Sequence, residues 1–210
     1  MSDLAFTDLQ QDAIVELVNM GMGKAAEALS QIIHDKVHLS VPHVEFVHHQ
    51  ELLDYIKAID DETPSAIMQK FTGDFSGNAI LIFPESSGMS LVRQMLQGMI
   101  NPDNIQDLEE EALMEIGNII LNACFGQLGN LLSTDLDGAL PNYLRSSPKE
   151  ILNQTEMAAQ VTDDGQTMLI QVDFSFNDNK TKGFVMFTMN VDSLETFISK
   201  VDIYLKKLFG

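Results

Sequence analysis

One cysteine in 210 residues leaves no partner for an intrachain disulfide and too few thiols for a cysteine-based zinc site. That residue, Cys124, falls on the apolar side of its helical pattern and reads as a buried structural thiol. Basic residues are scarce: 12 Lys and Arg stand against 31 Asp and Glu, a formal net charge of −19. Such a surface repels a nucleic-acid backbone and an anionic membrane alike, so neither is expected as a partner, whereas a basic protein suits it. Long apolar runs are missing too. Nowhere do about 18 consecutive apolar residues occur, and the first residues carry neither a basic nor an apolar signal region, so the expected residence is cytosolic. No low-complexity linker divides the chain. At 45% hydrophobic and 20% charged residues, it is ordinary globular material with enough apolar content for one substantial core.

What is present is a pattern that occurs twice. Residues from Asp107 to Pro141 read as a long helix followed by a loop, and no basic residue lies between Glu109 and Leu140. At 100° per residue, Glu111, Glu115 and Asn118 fall at roughly 0°, 40° and −20°, on one face. Leu113, Ile116, Ile120, Cys124, Leu128 and Leu131 cluster on the opposite one. Asp12, Glu16 and Asn19 have the same spacing, and in both copies 22 residues separate the Asn from a proline, Pro42 or Pro141. The offset is 99 residues throughout. Asp8 with Gln11 reads as an N-cap and its partner three residues on, and recurs at that offset as Asp107 with Glu110. Leu17, Leu29, Ile32 and Ile33 likewise become Ile116, Leu128, Leu131 and Leu132. The chain reads as a tandem duplication, a single domain over residues 1–210 made of two repeats at about 1–100 and 101–210.

In chain order the pattern predicts a helix from about Leu9 to Ile33, with Gly21 and the alanines allowing close approach to a neighbour. A strand broken by Pro42 follows over Val37 to Val47, then a short helix over Glu51 to Ile59. Ser65 to Phe71 and Asn78 to Phe83 form a hairpin through Gly73 and Gly77, and Ser87 to Gln97 is helical. After the second long helix, ending near Leu132, a loop with Pro141 leads into an extended polar segment, Ser146 to Gln154. Met157 to Thr162, Met168 to Phe176 and Gly183 to Met189 are strand candidates, separated by Asp164-Gly165 and Asn177-Asp178-Asn179. Asp192 to Leu205 closes the chain as a helix. The fold class expected is α+β; strand order is left open by the pattern.

Two carboxylates and an amide on an open helical face suit three chemistries unequally. A glycosidase wants its carboxylates across a cleft with one desolvated, and an i, i+4 pair on an open face is solvated. A catalytic divalent metal wants a preformed pocket and a substrate phosphate. A protein-docking surface needs neither. Chance decoration of a solvated helix would explain one copy, but not the recurrence of acid, Asn and Pro at one offset. Five histidines, His34, His38, His43, His48 and His49, crowd into 16 residues. Strand alternation spreads them over different faces and no Cys joins them, so they read as a loop and strand margin, and no metal site is assigned. The 12 methionines are mostly core filler, although Met20 and Met22 flank the first polar stripe and are candidates for a partner contact.

The pattern Asp/Ser-x3-Glu-x2-Asn-x22-Pro resembles the signature of the CheC, CheX and FliY family of chemotaxis phosphatases. DAIVELVNMGMGKAAEALSQII and EALMEIGNIILNACFGQL are similar to the family's helices, and two copies in a chain of this length are most like its CheC branch. The resemblance covers essentially the whole chain. It implies a pseudo-two-fold duplicated unit with two long helices packed on a shared antiparallel β-sheet. It further implies hydrolysis of the phosphoryl group on a CheY-type response regulator, with the receptor deamidase CheD as a second partner. An alternative in keeping with the same acidic face is a non-catalytic adaptor for CheD or a flagellar switch component.

On this reading the catalytic candidates are Glu16, Asn19, Glu115 and Asn118, with Asp12 and Glu111 in support. Hydrolysis of an aspartyl phosphate needs a water held in line with the leaving carboxylate beside strong negative charge. An amide orients that water without adding repulsion, which assigns the task to Asn19 and Asn118. Glu16 and Glu115, a turn away, pair with a lysine of the regulator. No cofactor of the chain's own is expected, since the phosphorylated partner brings its Mg2+. Glu111 departs from the usual Asp or Ser and stands among Glu109 and Glu110, so charge alone ranks the Asp12 site first, by several-fold at most.

Overall fold

The computed structural model describes residues 6–48, 51–59, 63–95, 105–159, 166–176 and 179–209. The chain runs α1 (Asp8–Ile33), β1 (Val37–His48), α2 (Leu52–Lys57), β2 (Ser65–Gly73), β3 (Gly77–Phe83) and α3 (Glu85–Met95). It continues through α4 (Ile105–Leu132), β4 (Leu136–Gly138), β5 (Asn142–Arg145), α5 (Pro148–Ala159), β6 (Gln166–Phe176), β7 (Asn179–Met189) and α6 (Val191–Phe209). The second half thus repeats the first, with β1 replaced by the short pair β4 and β5. Both long helices end in a left-handed residue at the same offset, His34 at φ 54° and Ser133 at φ 53°.

All strand pairings are antiparallel, in the order β1-β6-β7-β3-β2-β4, with β5 also on β2. The order is a palindrome of the two halves. Each half keeps its own hairpin (β2-β3 or β6-β7), but its first strand pairs with the hairpin of the other half: β1 with β6, and β4 and β5 with β2. The β3-β7 pair joins them at the centre. β3 reads as an unbroken apolar run, AILIF, because it is covered on both faces. Ala79, Leu81 and Phe83 join the larger core under α1, α3, α4 and α6, while Ile80 and Ile82 point to the smaller one under α2 and α5. Two long helices on a shared antiparallel sheet are therefore the architecture of this α+β fold.

α1 lies directly on α4. Gly21 makes this possible, since a Cβ there would stand 3.1 Å from the Cys124 Cα. Cys124 itself is wholly buried, and burial pushes its thiol pKa up to about 12, so it stays neutral and unreactive.

Several expectations are corrected. The α1 cap is Thr7 with Gln10, one residue earlier than Asp8 with Gln11: the Gln10 N–H donates to Thr7 Oγ1 at 3.3 Å, and the Thr7 N–H to Gln10 Oε1 at 2.9 Å. α4 begins at Ile105, so Asp107 lies within the helix. The segment read as extended, Ser146 to Gln154, is mostly α5. Its start was legible in Ser147-Pro148-Lys149-Glu150, where Pro takes the first helical position and the Ser147 hydroxyl accepts from the Glu150 N–H at 3.3 Å. Met157 to Ala159 belongs to the same helix, while residues 160–162, the turns at 164–165 and 177–178, residues 96–97 and His49 lie outside the described residues. Among the described residues, no helix is long and apolar enough to cross a membrane, and no three His, Cys, Asp or Glu side chains gather as a metal site would require.

Candidate functional site

Asp12, Glu16, Glu111 and Glu115 are all exposed on the outer faces of α1 and α4, and both asparagines are half-buried at the edge of those faces. Among the described residues no cation pairs with Glu16 or Glu115, so each carboxylate is free to meet a charge supplied from outside. Met20 is exposed beside Asn19, but Met22 is fully buried and belongs to the core, which removes it as a partner contact.

The two asparagines are held differently. In β1, Ser40 pairs with Asp173 and His43 with Gln171, so Val41 and Pro42 fall together in a register shift opposite one residue. Proline has no N–H for the ladder. The Asn19 amide fills the break: its Oδ1 accepts from the Val41 N–H at 3.0 Å, and its Nδ2 donates to the Val41 carbonyl at 3.3 Å. The spacing of 22 residues between Asn19 and Pro42 thus places the amide against the residue just before the proline. Val41 is 4% exposed.

At the second copy the break before Pro141 separates β4 from β5, which pair with Phe71 and Met68 respectively. Here Gln69, reaching up from β2, takes the place of the motif asparagine and donates through Nε2 to the Ala139 carbonyl at 2.7 Å. Asn118 is left off the backbone. Its Oδ1 accepts from Asn122 Nδ2 at 2.6 Å and from Gln69 Nε2 at 3.4 Å, and among the described residues nothing engages its Nδ2. Leu140, the counterpart of Val41, is 88% exposed. Gln69 and Asn122 were missed from the sequence. The signals were there: a lone amide in the apolar strand AIMQKF, and an amide at i+4 from Asn118 on the same face.

Two stretches of the chain match known families. Residues 65–163 match the family described as chemotaxis phosphatase CheX, and residues 9–45 match the CheC-like family. The CheY-P phosphatase CheC of Bacillus subtilis is 30% identical over 138 residues, 63% of this chain and 64% of that protein. The flagellar motor switch phosphatase FliY of the same organism is 23% identical over 171 residues, 80% of this chain and 43% of that one. The chain therefore matches under two thirds of the length of either relative. The crystal structure of FliY from Thermotoga maritima has the same fold, with a TM-score of 0.76 at 17% identity over 97% of this chain and 99% of that one.

Proposed function

We propose that this chain, which is similar to the CheC, CheX and FliY chemotaxis proteins, accelerates hydrolysis of the aspartyl phosphate of a CheY-type response regulator. The observation that carries the reading is the pattern Glu-x2-Asn-x22-Pro, present twice, with the glutamate exposed and the asparagine at the margin of the same open helical face. In this reading the regulator docks across α1 or α4, its lysine meets Glu16 or Glu115, and Asn19 or Asn118 orients the attacking water. The bond broken is that between phosphorus and the aspartate oxygen; water supplies the new oxygen, and its proton leaves to solvent. Mg2+ held by the regulator balances the phosphoryl charge, and the chain brings no cofactor. Such a site works at a cytoplasmic regulator. CheD as a second partner is part of the same proposal.

The direct test follows decay of a phosphorylated CheY-type regulator in Mg2+ with and without this chain. Faster decay is expected, and an unchanged decay rate rules the phosphatase reading out in favour of a pure adaptor.

The glutamates have a separable effect. Glu16→Gln and Glu115→Gln keep shape and hydrogen bonding but remove the charge, and each is expected to weaken binding of the phosphorylated regulator by up to about fivefold, as exposed ion pairs allow. Titration calorimetry checks this, and the deficit should vanish at high salt. Equal affinity in the double Gln variant would remove the lysine-pairing role.

Charge and geometry rank the two sites oppositely. Repulsion from Glu110 and Glu111, both exposed, is screened and amounts to about 1 kcal/mol or less. Releasing Asn19 breaks two half-buried hydrogen bonds to Val41, which costs about 1–3 kcal/mol when their partners are left unpaired. Geometry wins. Asn118→Ala is expected to lose more activity than Asn19→Ala, and the gap should widen with salt as the acids near Asn118 are screened. A larger loss at Asn19 would restore the ranking by charge.

A further inference from the structure

We propose that Gln69 and Asn122 are positioning residues that lock the Asn118 carboxamide with its Nδ2 donor turned outward, an inference that rests on the phosphatase reading. The Gln69 side-chain NH2 faces three acceptors: Asn118 Oδ1 at 3.4 Å, Asn122 Oδ1 at 3.2 Å and the Ala139 carbonyl at 2.7 Å. Turning the amide over would set an oxygen against all three. The orientation is therefore dictated, and it leaves Gln69 Oε1 buried without a partner among the described residues, in a residue 1% exposed. An orphaned buried acceptor costs about 1–3 kcal/mol. An apolar side chain would avoid that cost, and the acceptors on Ala139 and Asn122 belong to exposed residues that water can reach, so burial alone does not account for a glutamine here.

The other copy shows the apolar solution. Phe71 pairs with Gly138 and Phe174 with Leu39, and Leu39 and Gly138 are counterparts at the offset of 99 residues. Gln69 therefore corresponds to Val172, which is fully buried. Asn122 corresponds to Gly23, which has no side chain to offer. Gly138 corresponds to Leu39, and a Cβ at 138 would stand 2.6 Å from both Asn122 Oδ1 and Gln69 Nε2. Three positions thus differ together between the copies, and together they build one network around Asn118 Oδ1. Asn122 Nδ2 and Gln69 Nε2 both donate to that oxygen, which fixes the side-chain torsion and polarises the amide. The N–H left over is the group that meets the attacking water. An amide free to turn would present its oxygen to the phosphoryl group for part of the time and repel it.

The test uses a full-length Asn19→Ala chain, in which Asn118 serves the only intact site. Gln69→Leu and Asn122→Ala are each expected to lower kcat about tenfold on the phosphorylated regulator with KM unchanged, since positioning is lost and docking is not. In 15N-labelled chain, the Asn118 side-chain NH2 signal, assigned by its disappearance in Asn118→Ala, should shift or broaden in both variants while backbone signals stay native. Asn122 is exposed, so Asn122→Ala carries the test even where Gln69→Leu does not fold. Unchanged kcat, a loss confined to KM, or an unmoved Asn118 NH2 signal overturns the proposal, as does an inactive Asn19→Ala chain beside an active wild type. A wild type that does not accelerate dephosphorylation overturns the phosphatase reading itself, and the NH2 signal then still reports whether the network holds Asn118.

Discussion

With Asn19 and Asn118 both replaced by alanine, acceleration of regulator dephosphorylation is expected to fall by about a hundredfold or more, to the regulator's own rate. Positioning a water is an all-or-none service, and a misplacement of about 1 Å already costs on the order of a hundredfold. The exposed glutamates remain in this variant, so docking should survive, and the loss should appear in kcat. The stability cost is not shared equally. Both asparagines lie off the apolar stripe, which from sequence suggests little cost for either. Asn19, however, pairs with the N–H and carbonyl of Val41 where β1 breaks, so Asn19→Ala should cost about 1–3 kcal/mol. Among the described residues the Asn118 side chain bonds only to Asn122 and Gln69 side chains, and its removal should cost less. Chemical denaturation of the two single variants checks the difference, and regulator decay in the double variant checks the chemistry. Activity retained in a well-folded double variant would remove both asparagines from the mechanism.

Phe71→Ala is expected to cost about 3–5 kcal/mol, the range for a large aromatic deleted from a rigid core. Phe71 is 1% exposed. Its ring meets Phe125 of α4 at 5.3 Å between centroids, and Phe75 and Phe187 at 6.1 Å each. Phe187 lies on β7 and Phe125 on α4, so a first-half residue is enclosed by second-half partners. Phe71→Leu, which keeps most of the volume, should cost about half as much or less. The halves exchange strands and share β3-β7, so unfolding should remain a single transition in wild type and variants. Two separate transitions would show that the repeats are independent units and that this cluster does not bind them.

The Asn118 network shows where sequence reading stops. The two long helices, their polar faces and the burial of Cys124 were all legible, because each is written in periodicity within one segment. The ends of α1 and α4 at Ile33 and Leu132 followed for the same reason, whereas both helices start earlier than the expected caps imply. Short elements were less legible: α5 holds few apolar residues in a row, and its start depended on a four-residue signal.

Strand order was decided only by tertiary structure. Alternation of apolar residues marks which face of a strand is buried, but not which strand lies beside it, and here each half's first strand crosses to the other half's hairpin. The difference between the asparagines was likewise invisible, since the two motifs are nearly the same in sequence. It arises from Gln69, 49 residues from Asn118, which folding brings to the break before Pro141. Backbone groups at a strand break pair with whichever side-chain partner folding brings near. At Val41 the motif asparagine serves; at Ala139 a glutamine from the sheet serves instead, and only three-dimensional proximity sets which asparagine is left free.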